Sequence, residues 1–145
     1  MLKGIPEVIT PDLLYALAAM GHGDSLVLAD ANFPAYRLAE NHTLVHLPTV
    51  SMPDLLTAVL DLFPIDALHQ DAAYVMEVTK ADTDRGVKTP IWGEYRNILQ
   101  NKTQRNSLGL VDRQKFYDLA ASSQVIVLTG ERALYANILL YKGTL

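Results

Sequence analysis

The chain contains no cysteine. That absence excludes disulfide scaffolding, thiolate nucleophiles and cysteine-ligated zinc or iron–sulfur centres. Long apolar runs are missing too. No stretch approaches the roughly 18 apolar residues that a membrane-spanning helix needs, and Leu55–Leu62 is both short and interrupted by Asp61. No N-terminal apolar segment resembles a signal peptide. Positive charge is sparse: 12 Lys and Arg stand against 16 Asp and Glu, for a formal charge of -4. The basic residues are spread along the chain, and the loose group at Lys102–Arg105 has no aromatics between its members. Nucleic-acid binding needs a basic footprint. Neither nucleic acid nor a membrane is therefore expected as a partner, and a cytoplasmic chain acting on small neutral or mildly polar molecules is.

Cofactor and metal signatures are absent as well. There is no G-x-G-x-x-G and no G-K-S/T loop, so no nucleotide cofactor is expected. There is no H-E-x-x-H, and His42, His46 and His69 share no carboxylate at metal-ligand spacing, so no metal is expected.

What is present is a globular composition, 50% hydrophobic and 19% charged, in 145 residues. That length suits a single domain spanning 1–145, able to bury about two-thirds of its unfolded surface. Thr10-Pro11-Asp12 opens a helix, with Thr10 as cap, Pro11 in the first turn and Asp12 at the positive end. Leu13, Leu14, Leu17 and Met20 form its apolar face, and Gly21 is expected to end it. Ser51 with Asp54 resembles a capping box for a second helix, which Pro64 terminates. Pro90 opens a third over Ile91–Gln100, and Asp112 caps a fourth carrying Phe116, Leu119 and Ala120. Strands are expected at Ser25–Ala29, Leu44–Leu47, Ala73–Val78, Gln124–Leu128 and Asn137–Tyr141, with 80–89 as a polar surface loop. Helices alternating with short apolar strands indicate a layered α/β domain. The short connection between the last two strands argues for a mixed sheet.

Several side chains could carry chemistry. His22 lies between Gly21 and Gly23, where backbone can approach a ligand, and an imidazole both donates and accepts a proton near neutrality. The bland alternative is a surface histidine just past a helix end. Asp24 and Asp30 could orient an imidazole or accept from hydroxyls, or serve only as turn residues. Asp30 follows a strand at its carboxyl end, where α/β ligands collect. A five-residue strand is about 17 Å long, so His22 and Asp30 sit at opposite ends of one element. One pocket using both requires the chain to fold back or a second subunit to contribute. Arg113 in the first turn of a helix is disfavoured by the dipole and is either a polar-site residue or a solvated one. Tyr135 and Asn137 suit a hydroxylated ligand, or a core ring and a strand cap. Trp92 and Tyr95 offer flat faces for a sugar, or are ordinary core aromatics.

These pieces, taken in order, resemble the L-fucose mutarotase family and its wider group with the D-ribopyranase type. The likeness rests on Thr10-Pro11-Asp12-Leu13-Leu14, Met20-Gly21-His22-Gly23-Asp24, Ala29-Asp30-Ala31-Asn32-Phe33-Pro34, Thr89-Pro90-Ile91-Trp92, Phe116-Tyr117, the run Thr129 to Leu139, and Lys142-Gly143. The resemblance implies a single domain with a mixed sheet between helical layers, and an isomerase that interconverts the anomers of a free monosaccharide without a cofactor. L-fucose is favoured by Phe33-Pro34. It implies His22 and Tyr135 as catalytic groups, and Asp30, Arg113, Tyr135, Ala136 and Asn137 as substrate contacts. It further implies self-association into a ring-shaped homo-oligomer, typically a decamer, with sites at subunit boundaries. Two departures stand out. His46-Leu47-Pro48-Thr49 replaces a basic-Ala-Asp-Gly stretch, and Ala136 replaces the glycine of Tyr-Gly-Asn, where a methyl group is expected to narrow the pocket or shift backbone contacts.

Overall fold

A computed structural model describes all residues, 1–145. Six helices and six strands follow in the order α1 (Pro11–Ala19), β1 (Ser25–Ala29), α2 (Ala35–Leu38), β2 (Thr43–Leu47), α3 (Met52–Leu60), β3 (Ala73–Met76), α4 (Lys80–Asp84), α5 (Pro90–Thr103), β4 (Leu108–Val111), α6 (Arg113–Ala121), β5 (Val125–Thr129) and β6 (Ile138–Tyr141). The strands form one sheet in the order β2-β5-β1-β6-β3-β4. β5 is parallel to β1 and β2, and β3 is parallel to β4, while β6 runs antiparallel to both β1 and β3. The expected mixed sheet is therefore present, and β6 is the one reversed strand.

Alternation along the strands divides the core in two. Leu26, Leu28, Val125, Val127, Ile138 and Leu140 face the side covered by α1, α3 and α5. Val27, Ala29, Ile126, Leu128 and Leu139 face the side covered by α2 and α6, where Phe116 and Ala120 pack. The sheet is thus the middle of three layers. No helix is long and apolar enough to cross a membrane.

The side-chain caps expected at Thr10, Ser51 and Asp112 are present, although Asp54 does not return the second bond of a capping box. Thr10 accepts from Leu13 N–H at 3.3 Å, Ser51 from Asp54 N–H at 3.3 Å, and Asp112 from Lys115 N–H at 2.8 Å. Each such cap is worth about 1 kcal/mol. Other expectations need correction. α1 ends through Met20 in an extended conformation, and the left-handed glycine of this turn is Gly23 (φ 86°), not Gly21. The 80–89 segment is not simply a loop: Thr79 caps the short α4 by accepting from Asp82 N–H at 3.3 Å. Two elements were not anticipated, α2 and β4. β4 is only four residues long and contains Gly109, whose missing side chain leaves room for the Tyr74 ring.

The C-terminal end of β6 organises the lower edge of the sheet. Gly23 N–H donates to Lys142 O and Lys142 N–H to Asp24 O, both at 2.8 Å. On the other side, Asp66 N–H donates to Tyr141 O at 2.9 Å and Gly143 N–H to Pro64 O at 2.8 Å. The turn bearing His22 and the segment bearing Asp66 are thus stitched to opposite sides of one strand end. A Cβ on Gly143 would lie 2.5 Å from Ile65 O. Gly143→Ala should therefore push the 64–66 segment away and lower the unfolding free energy by about 1–3 kcal/mol, measurable by urea denaturation.

Candidate functional site

The chemistry-bearing residues fall into two groups, one at each end of the strands. At the carboxyl end of β1, Asp30 is 6% exposed. Its N–H donates to Asn137 Oδ1 at 2.8 Å, and its Oδ1 accepts from Asn32 N–H at 3.0 Å. Burial pushes the Asp30 carboxyl above the usual carboxylate range, opposed by hydrogen bonds from Asn32, Asn137, Phe33 and Ala136. Asp30, Arg113, Tyr135 and Asn137 line one cavity of about 160 Å³, together with Phe33, Met76, Asp82 and Tyr117. At about 30 Å³ per water, that volume is roughly five water molecules.

Each wall follows from the fold. Arg113 opens α6 directly after β4, and its guanidinium lies 5.9 Å from the centroid of the Tyr117 ring. Asn137 precedes β6, whose reversed direction brings it beside Asp30. The loop between β5 and β6 is tied to the end of β1 by Ala31 N–H donating to Glu131 O and Thr129 Oγ1 donating to Ala29 O, both at 2.8 Å. Tyr135 adopts a left-handed backbone (φ 57°), a conformation costly for a bulky residue and sustained only where the surroundings enforce it. Trp92 Nε1–H holds it by donating to Tyr135 O at 2.8 Å. Next to it, the Tyr95 hydroxyl donates to Ala136 O at 2.5 Å.

Those two bonds correct the reading of Trp92 and Tyr95 as stacking faces. Trp92 is 9% exposed and Tyr95 is fully buried, and neither ring lines the cavity. Both belong to the core behind it and act on the site by fixing the 135–136 backbone. Burial, then the carboxylates of Glu131, Asp30 and Glu94, drive the Tyr95 hydroxyl far above its ordinary value, so it remains a donor. The methyl of Ala136 likewise does not narrow the cavity. Ala136 is fully buried in the core on the side of α1, α3 and α5.

His22 is not in this cavity. It lies at the other end of the sheet, with Nε2 3.5 Å from Asp66 Oδ1. Asp66 is 7% exposed. Its carboxyl is held below the usual range chiefly by Leu68 N–H, which donates to Oδ1 at 3.0 Å, and also by His22 and His69. His69 places Nε2 3.6 Å from Asp66 Oδ2 and stacks on Tyr141 with ring centroids 3.8 Å apart. No grouping of His, Asp and Glu side chains here is arranged as a metal-ligand set. Arg105 steadies the whole segment by donating to Asp66 O (2.8 Å), His69 O (2.6 Å) and Gln70 O (3.2 Å). Asp24 takes the turn role left open by its sequence, accepting from Gly21 N–H at 2.8 Å.

Two carboxylates escaped the sequence reading. Asp66 carries no local signal of its pairing with His22, which lies 44 positions earlier. Asp82 did carry one: Thr79-Lys80-Ala81-Asp82 is the T-x-x-D capping pattern, hidden inside a stretch read as a polar loop.

A carboxyl with a raised folded value contributes stability below its ordinary range, and that contribution is lost as pH rises through the raised value. Asp30→Asn should therefore raise Tm near neutral pH by roughly 2 °C or more, with the difference fading as pH falls toward 4. It should also weaken binding of a polyhydroxylated ligand at least tenfold. Calorimetry reads both. Ala136→Gly should leave that binding within about twofold while costing about 1 kcal/mol of stability, checked by the same titration and a melt.

The chain matches the RbsD / FucU transport protein family over residues 3–145. It is 44% identical over 145 residues to the fucose mutarotase of Homo sapiens, covering 99% of this chain and 94% of that protein. Its fold is similar to the crystal structure of FucU from Bifidobacterium longum, with a TM-score of 0.94, 39% identity and 99% of both chains covered. It is also similar to that of the fucose mutarotase of Streptococcus pneumoniae in complex with L-fucose, with a TM-score of 0.91, 39% identity and 99% of both chains covered. On sequence and fold together, the chain belongs to the RbsD/FucU family.

Proposed function

We propose that this protein is a monosaccharide mutarotase that interconverts the α and β anomers of a free sugar by opening and reclosing its ring, with L-fucose as the preferred substrate. The observation that carries the reading is the convergence of Asp30, Arg113, Tyr135 and Asn137, from three segments of the chain, on one small cavity. Carboxylate, guanidinium, phenol and amide supply donors and acceptors matched to sugar hydroxyls. The relatives described as fucose mutarotases support the choice of sugar.

Mutarotation moves protons and redistributes electron pairs, with no net oxidation. The anomeric hydroxyl loses a proton, the ring oxygen gains one, and the C1–ring-oxygen bond breaks. Rotation about C1–C2 and reversal of the same steps give the other anomer. His22 is the proton donor to the ring oxygen in this reading, oriented by Asp66 through Nε2 so that Nδ1 is left for the sugar. Tyr135 serves the anomeric hydroxyl. Asp30, Arg113 and Asn137 hold the remaining hydroxyls. The separation of His22 from the cavity is resolved by self-association: His22 of one copy completes the cavity of another. A closed ring of identical subunits, with a decamer as the expected number, satisfies that geometry.

Saturation-transfer NMR of L-fucose tests the reaction. The wild-type protein should accelerate anomer exchange, and His22→Ala should lower kcat about 10²–10⁴-fold with sugar binding retained. Sedimentation should show a ring-sized oligomer for both. Binding without accelerated exchange by the wild type would make the protein a monosaccharide-binding protein linked to uptake instead.

A further inference from the structure

The Tyr135 phenol is already engaged within its own chain. Its Oη donates to Asp82 Oδ2 at 2.5 Å and accepts from Thr79 N–H at 3.3 Å. Thr79 Oγ1 lies 3.4 Å away. A phenol has one proton, and the charged acceptor at 2.5 Å takes it in preference to a neutral oxygen at 3.4 Å. Asp82 is itself fixed. Its N–H is held by Thr79 Oγ1, and its Oδ1 pairs with Arg85. Both carboxylate oxygens are therefore committed, one to Arg85 and one to Tyr135. Asp82 lines the cavity but addresses a ligand through the phenol.

We propose that Asp82 is a positioning residue that draws the Tyr135 proton away from the sugar and so makes Oη the acceptor for the anomeric hydroxyl proton. The inference rests on the mutarotase reading and assigns the direction of proton flow within it. As the ring opens, the anomeric O–H bond breaks and its proton passes to Oη. The proton already on Oη moves along the 2.5 Å bond to Asp82 Oδ2. The electron pair left on the anomeric oxygen forms the carbonyl, and the C1–ring-oxygen pair departs with the ring oxygen, which takes a proton from a second copy's His22. Ring closure on the other carbonyl face returns both protons. The carboxylate begins charged and ends as a neutral acid in the open-chain state, so one turnover leaves the protein unchanged. The Tyr135 hydroxyl, followed by Arg85, holds the Asp82 carboxyl below its usual range, which keeps it charged at neutral pH.

An alternative role, that Asp82 merely props the Tyr135 ring, makes a different prediction. Asparagine has the same shape and its Oδ1 accepts the same hydrogen bond, but it does not take up a proton. The test is L-fucose anomer exchange measured across sugar concentrations by saturation-transfer NMR on the intact oligomer. The proteins compared are wild type, Asp82→Asn, Asp82→Glu, Tyr135→Phe and the Asp82→Asn/Tyr135→Phe double variant. Asp82→Asn should lose about 10²-fold in kcat with KM within about twofold. Asp82→Glu should recover at least about tenfold of that loss. Adding Asp82→Asn to Tyr135→Phe should cost nothing further, because the carboxylate acts only through the phenol. Wild-type kcat in Asp82→Asn, losses that multiply in the double variant, or no recovery by glutamate overturns the inference. Melting temperatures identify a variant that has lost its fold, in which case the glutamate variant, measured against Tyr135→Phe, decides by retaining or losing the tenfold advantage. If the wild type fails to accelerate exchange of any sugar, the mutarotase reading falls and takes this inference with it. If the wild type is active and the variants are unaffected, only the role of Asp82 is lost.

Discussion

β6 enters the sheet between β1 and β3 and runs against both of them. Just before its first residue, Asn137 accepts from Asp30 N–H at the carboxyl end of β1. At its far end, Tyr141, Lys142 and Gly143 form the backbone bonds that hold the His22 turn and the Asp66 segment on either side. A parallel strand in the same place would start at the opposite edge and carry Tyr135 and Asn137 away from Asp30. The reversed direction of one four-residue strand therefore builds the polar cavity at one edge of the sheet and the imidazole–carboxylate pair at the other.

The cavity shows what it costs to bury polar groups. Asp30 is buried among the very groups that hydrogen-bond it, and burial prevails in setting its proton affinity. Tyr135 sits in a backbone conformation that bulky side chains rarely adopt. Trp92 and Tyr95, both in the core, hold that backbone from behind. Trp92 and Tyr95 thus contribute rigidity rather than a surface for the ligand. The same logic governs Asp66, whose segment is clamped by three carbonyl bonds to Arg105. Side chains that must meet a ligand in one orientation are held by neighbours that never touch it.

Much of this arrangement was legible before the fold was known. The caps at Thr10, Ser51 and Asp112 are local chemistry, decided within three residues, and each appears as expected. The apolar runs of β1 and β5 read as buried strands because both faces of those strands are covered. β4 was missed because a four-residue strand with a central glycine has no periodicity to detect. Trp92 and Tyr95 were equally good candidates for a sugar platform or for core, and only their placement behind the cavity separates the two. The capping pattern from Thr79 to Asp82 is masked in the sequence by the polar, loop-like composition around it.

By itself, the sequence determined the starts of four helices, the candidate strands, the cysteine-free single domain and the likeness that pointed to His22, Asp30, Arg113, Tyr135 and Asn137. It also showed that His22 and Asp30 stand at opposite ends of one strand, since a strand's length follows directly from its residue count. Tertiary structure decided which carboxylate faces each candidate group: Asp66 for His22 and Asp82 for Tyr135. Those partners lie 44 and 53 positions away along the chain. Local propensity carries no information about contacts at that range; they are set by strand order and strand direction.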